Sequence, residues 1–342
     1  MFQRAIHVNS RFRVLATLVA LFAVMAAAAA GQASARPHFK KPRLQSPAWL
    51  TDSLRQQIEA AGTKGKDGPE DIVFKSCPGV GPTVPGVQAG TCLVDPFGCT
   101  ANFVYYNGPT VTDATGALRP AAGSLGGTGL PPFTSNGVNW FLGTAGHCLK
   151  SGPVLAQVRP PGVFVPGSDA GGIAAIGTAA KKMNAGIGKD FGAIQIYKGF
   201  MVTPATPLGG PHGIYTGCNP LPIDYWGHGY EFAVAQGKGG AGGAFFPTAN
   251  WYTWAGTVYG GDSGSGVVLP TDEAAGNLTH GLVVGGLVPL PFGYGTRMTQ
   301  IMSFLGNGFY LVNADGTLSR ATSACNGIDA PWDPVFGIKA KR

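Results

Sequence analysis

Apolar residues in this chain gather in short runs of strand length, each closed by glycine or proline. Such runs lie at Ala101–Tyr106, Val138–Leu142, Val154–Val158, Gly192–Tyr197, Tyr230–Ala235, Val267–Leu269, Gly281–Val288 and Gly308–Val312. Many short strands split by turn signals specify an all-β sandwich or barrel. With 55 glycines, 27 prolines and only 12% charged residues, the composition is that of a loop-rich extracellular β protein. No repeat with a 20–50 residue period is present, which disfavours solenoids and propellers. Two helices are expected: "TDSLRQQIEAAG", from Thr51 or Asp52 to its stop at Gly62, and Arg297–Leu305, stopped by Gly306. The length of 342 residues allows one large domain or two.

Residues 1–35 read as a secretory signal rather than as part of the fold. Arg4, Arg11 and Arg13 precede an uncharged run, Val14–Ala30, and small residues at Ala33 and Ala35 mark cleavage after Ala35. A retained membrane anchor is the weaker reading, so no membrane association is expected after cleavage. Most of the net charge of +7 then loses its meaning: residues 1–50 hold seven Lys/Arg and no acids, leaving 17 basic against 17 acidic residues beyond them. A neutral folded part without a basic, aromatic-rich face is not a nucleic-acid binder. In an oxidising compartment the six cysteines, 77, 92, 99, 148, 218 and 325, read as up to three disulfides. Zinc would want close Cys or His pairs, and no C-x-x-C occurs.

"VYGGDSGSGVVLP", residues 258–270, crowds a serine, an aspartate and several glycines before an apolar run. Glycine collects wherever the backbone must bend sharply, so a tight turn explains it structurally. A nucleophilic serine explains it chemically, provided a base and an orienting acid stand nearby. "FLGTAGHCLK", residues 141–150, supplies a histidine at the end of an apolar strand, and a near-neutral imidazole is the usual proton acceptor for a hydroxyl.

T-A-G-H-C followed downstream by G-D-S-G resembles the trypsin/chymotrypsin-like serine peptidases, over about Cys99 to Leu305 or some 60% of the chain. The resemblance implies an all-β fold of two packed antiparallel six-stranded barrels with a C-terminal helix. It places the peptidase domain at 91–342, a barrel boundary near 200–210, and an added hairpin within 306–342. Residues 36–90 become a short N-terminal extension or a pro-segment that could block the cleft until removed. The implied catalytic residues are His147 as base, Ser263 as nucleophile and Asp190 as the acid that holds the imidazole tautomer. Asp190 stands in "GKDFGAIQIY", which looks like the family's aspartate-bearing strand, with Asp169 and Asp224 in reserve. The backbone N–H groups of Gly261 and Ser263 become the oxyanion hole.

A family disulfide implies the pair Cys99–Cys148, whose 48 intervening residues include an inserted loop at about Gly108–Gly137. A Cys218–Cys325 staple would leave Cys77 with Cys92. Asp262 becomes a buried bracing charge; lacking a trypsin-type new N-terminus, it is expected to pair with an arginine, as in bacterial relatives. The implied substrate pocket is Thr257 with Val284, Gly285 and Gly286, where the family has serine, tryptophan and glycine. The absence of an aspartate at 257 argues against Lys or Arg specificity. His280 reads as a strand-start residue, His212 as a turn residue, and His228 as a packed aromatic or a subsite residue.

An α/β-hydrolase elbow is excluded because Ser265 stands where G-x-S-x-G needs its second glycine. The implied activity is a secreted, monomeric endopeptidase acting on proteins or peptides, requiring no metal or organic cofactor. The alternative is an inactive binding or adhesion module on the same fold, whose only sequence support is the departure at Val284.

Overall fold

Glycine and proline turns leave only one practical way to bury the apolar runs, which is to pair them into sheets. The computed structural model describes residues 86–93, 98–121, 130–158, 172–217, 220, 222–229, 236–240, 249–256, 258–284 and 288–320. The signal segment, the helix at 51–62, the run 230–235 and Cys77, Cys218 and Cys325 lie outside them. The described residues belong to one unit of the chain, Ser46–Arg342.

Among the described residues the fold is all-β with a single α-helix, Met298–Leu305, toward the C-terminal end. Its described strands form two large, mainly antiparallel sheets of nine and seven strands. Edge hairpins enlarge the first, while the second is a six-strand path to which Gly213–Ile214 adds by pairing parallel with Glu273–Val284. In the first sheet, Val104–Asn107 pairs with Trp140–Thr144, then with Asp190–Ile196, Gly172–Asn184 and Pro153–Val158 in succession. The hairpin of Phe309–Val312 and Leu318–Ser319 returns to this sheet beside Val104–Asn107. The second sheet runs from Gln236–Gly240 through Ile223–Gly227, Gly266–Val268, Glu273–Val284 and Val288–Arg297 to Trp251–Ala255. Part of the inserted segment folds as its own hairpin, Thr110–Thr112 with Leu118–Pro120.

Side chains on a strand alternate between its faces, and in the first sheet both faces are buried. Val104, Tyr106, Trp140, Leu142, Ile194 and Ile196 fill one core. Phe103, Tyr105, Phe141, Phe191 and Ala193 point the other way and meet the helix Met298–Leu305. The helix offers Met298, Ile301, Met302 and Leu305, one stripe at helical spacing, and ends at Gly306 with φ 86°. This explains why "NFVYY" and "NWFL" are continuous apolar runs rather than alternating ones. Each fully buried Leu, Ile or Phe in these layers contributes about 1.5–3 kcal/mol. Tyr225, Tyr252, Trp254, Val267 and Leu278 form a separate core in the second sheet.

The end of the expected N-terminal extension is not peripheral. Val87–Gln88 pairs with Val202–Thr203, and Val87, Ala89 and Thr91 are buried. His228, also buried, donates from Nε2 to the carbonyl of Gly90 at 2.8 Å, and so is a core latch rather than a subsite residue. Burial pushes its pKa down to about 4.

Below pH ~6.5 the unfolded chain therefore takes up a proton that the folded chain refuses until near pH 4, so stability falls as pH falls through that window. Between pH 7 and pH 4.5 the wild type is expected to lose about 2 kcal/mol more than His228→Gln in urea unfolding. Equal losses in the two proteins would show that this imidazole does not carry the effect.

Candidate active site

Asp190 opens a first-sheet strand whose neighbour, Trp140–Thr144, runs into the 3-10 turn Gly146–Cys148 that carries His147. Register pairing of Gly192 with Thr144 brings the strand start and the turn together. Both carboxylate oxygens of Asp190 are used: Oδ2 faces His147 Nδ1 at 2.7 Å, and Oδ1 accepts the His147 backbone N–H at 2.9 Å. The Asp190 side chain has no exposure, while that of His147 is 34% exposed. A carboxylate only accepts, so Nδ1 carries the ring proton and Nε2 is left with a lone pair.

The second sheet holds the Asp190 backbone in place. The Asp190 carbonyl accepts from Asn277 Nδ2 at 3.2 Å and from Thr296 Oγ1 at 3.3 Å. Asn277 Nδ2 also donates to the Thr144 carbonyl, one strand away. Neither Asn277 nor Thr296 carries a motif that would have disclosed this role in the sequence.

Ser263 is half-buried between the fully packed Asp262 and Gly264. Its carbonyl accepts from the Thr100 N–H at 2.8 Å and lies 3.8 Å from Cys148 Sγ. Cys148 is disulfide-bonded to Cys99, as the resemblance implies, and its sulfur lies within 4.8 Å of a His147 ring nitrogen. Thr100 Oγ1 donates to the Gly261 carbonyl at 2.9 Å and accepts from the His228 N–H. Thr100, adjacent to the disulfide, thus pins the serine loop onto the first sheet; the sequence gives no hint of it.

Gly261 and Gly264 have φ of 104° and 94°. A Cβ on Gly264 would strike the Thr100 carbonyl and Thr144 Oγ1, and one on Gly261 would come within 2.6 Å of the His228 carbonyl. Glycine is required at both places by conformation and by contact.

Asp262 is fully buried and meets a lysine, not the expected arginine. Lys238 Nζ lies 2.9 Å from Oδ1 and 2.7 Å from Oδ2, and the Gly229 and Tyr259 N–H groups also donate to the carboxylate. The strand Gln236–Gly240, too polar and glycine-rich to stand out in the sequence, delivers that lysine, whose side chain is 6% exposed. Burial raises the Asp262 pKa while Lys238 pulls it down.

His280 is within the strand Glu273–Val284 rather than at its start, with Nε2 3.9 Å from Asp190 Oδ2. Burial holds its pKa below the ordinary histidine value, against the pull of Asp190. From this strand Asn277 thus reaches the Asp190 carbonyl and His280 its carboxylate, four residues before the Val284 that the resemblance puts near the acid. Val284 pairs with Val288 through its backbone, and its side chain, Thr257, Gly285 and Gly286 lie outside the described residues. The reserve Asp169 does too, while Asp224 is exposed on the strand Ile223–Gly227.

Neither a family model nor a curated protein matches the chain. Among solved structures it is similar to a Nocardiopsis protease, with 13% identity over 66% of this chain and 99% of the other and a TM-score of 0.37. It is also similar to Thermobifida fusca protease A, with 13% identity, 69% and 100% coverage and a TM-score of 0.36. A chymotrypsin of Cellulomonas bogoriensis is 16% identical over 51% of this chain and 86% of its own, with a TM-score of 0.31.

Removing one partner from a buried ion pair strands the other charge. Lys238→Ala is therefore expected to cost about 3–5 kcal/mol in denaturant unfolding, and Lys238→Arg far less. Gly264→Ala should leave little folded protein, read as loss of soluble yield or of a cooperative thermal transition.

Proposed function

We propose that the protein is a secreted serine endopeptidase in which His147, Asp190 and Ser263 form the catalytic triad. The observation that carries this reading is the buried Asp190 carboxylate engaging both the ring and the backbone of His147, with Nδ1 at 2.7 Å. That geometry fixes the tautomer whose Nε2 can accept a proton, the arrangement a general base needs. The anchoring of the serine loop by Thr100, next to the disulfide that joins Cys99 to the neighbour of His147, supports Ser263 as the donor of that proton.

In the proposed reaction Ser263 Oγ attacks the peptide carbonyl while its proton passes to His147 Nε2. The imidazolium is stabilised by Asp190 and returns the proton to the leaving amine. Water, deprotonated by the same imidazole, then hydrolyses the acyl-enzyme. The tetrahedral oxyanion is received by the N–H groups of Gly261 and Ser263, and the positive φ at Gly261 supports their role. Substrates are proteins or peptides. Asp262 paired internally with Lys238 supports a loop assembled without a newly cut N-terminus.

Incubation of the secreted chain with a fluorophosphonate is expected to modify Ser263, with labelling lost in Ser263→Ala and strongly slowed in His147→Ala. Peptide hydrolysis should fall about 10⁶-fold in kcat for Ser263→Ala and about 10⁴-fold for Asp190→Asn. Folded protein that takes no label, before or after N-terminal trimming, would overturn the reading in favour of an inactive binding module.

A further inference from the structure

Two imidazoles converge on one carboxylate oxygen. Asp190 Oδ2 lies 2.7 Å from His147 Nδ1 and 3.9 Å from His280 Nε2, and the two rings are 5.7 Å apart between centroids. One ligand atom from each of the three residues lies within 4.8 Å of the other two. Two nitrogens and one carboxylate oxygen make the donor set of open zinc sites, where three protein ligands leave a fourth position for water or substrate. With metal–ligand bonds of ~2.0–2.2 Å, tetrahedral ligands stand roughly 3.4 Å apart, a spacing that the observed 2.7 and 3.9 Å straddle. The side chains of His147 and His280 are 34% and 41% exposed, so an ion can enter from solvent, while Asp190 provides a buried negative charge. The neighbouring group of Cys99, His147 and Cys148 offers no such site, because its two sulfurs are joined in a disulfide.

We propose that His147, Asp190 and His280 form a binding site for a zinc-class divalent cation that switches the catalytic base off. The regulatory part rests on the triad reading above. At rest the Nδ1 proton of His147 faces Asp190. For Nδ1 to ligate the ion, that proton moves to Nε2 of the same ring, so no net proton is released and the lone pair at Nδ1 forms the metal bond. Asp190 Oδ2 and His280 Nε2 supply the other two bonds. The His147 Nε2–H is then a donor, unable to take the proton of Ser263. His280 keeps its own proton on Nδ1, a buried atom without a hydrogen-bond partner among the described residues.

The test is calorimetric titration of Zn²⁺ into the full secreted chain carrying Ser263→Ala, with Co²⁺ absorption as a second readout of the ligand set. One site of micromolar affinity is expected. His280→Val and His280→Asn, each with an unchanged thermal transition, should weaken it at least tenfold, whereas His212→Ala at an exposed position should not. Equal affinity in the His280 variants, or no binding at millimolar Zn²⁺, overturns the site. In the active chain, Zn²⁺ should inhibit reversibly, with relief by EDTA and a tenfold or greater loss of sensitivity in His280→Val. Zinc binding with this ligand dependence in a chain that hydrolyses nothing would sustain the metal site and defeat the peptidase reading. A zinc-insensitive peptidase would do the reverse.

Discussion

The site depends on keeping one carboxylate out of water. A buried, ionised Asp190 is costly unless every oxygen is engaged, and the fold meets that need with His147 twice over, by ring and by backbone. The oxygens are satisfied within the first sheet, but the peptide that carries them is held by Asn277 and Thr296 from the second. Neither sheet alone positions the acid. A loosening of the contact between sheets would therefore release the backbone that carries the carboxylate behind His147.

The same logic appears a second time under the serine loop. Asp262 is buried, and Lys238 together with the Gly229 and Tyr259 N–H groups satisfies it. Because the counter-charge stands on the strand Gln236–Gly240, the loop is braced by the second sheet itself. Thr100 then ties the braced loop to the first sheet through the Gly261 and Ser263 carbonyls. Acid and serine loop are each held from both sides of the same junction.

Much of this was legible where local chemistry dominates. The apolar runs at 101–106 and 138–142 lead into the two-sided buried strands Val104–Asn107 and Trp140–Thr144, with Val138 left exposed, and the helix at the C-terminal end stopped at Gly306 as glycine dictates. The long strand Gly172–Asn184 was missed because its "GIAAIGTAAKKMN" is rich in alanine, glycine and lysine, residues with little strand preference. Its conformation is imposed by partners on both edges, Pro153–Val158 and Asp190–Ile196. Gly281–Val288, read as one strand, instead spans the end of one strand and the start of the next, with Val284 paired to Val288; the turn signal in the Gly285-Gly286 pair was passed over because apolar residues stand on both sides of it. His280 was read as a bland residue for a related reason: nothing in a linear pattern tells which face of a sheet looks toward a distant carboxylate.

What the sequence determined by itself was the set of chemically capable residues and their backbone demands: a histidine at a strand end, an aspartate opening a strand, a serine between an aspartate and a glycine, and a cysteine directly after the histidine. These follow from short-range sterics and from side-chain chemistry, which are written residue by residue. The tertiary structure alone decided the partners, Lys238 for Asp262, Asn277 and Thr296 for Asp190, Thr100 for the serine loop, and His280 beside the buried acid. Those choices depend on strand register and on packing between two sheets whose contacting residues lie up to about 160 positions apart, as with Thr100 and Gly261. Over such separations local preference carries no information, and register, packing and the requirement that buried polar groups find partners together select the pairing.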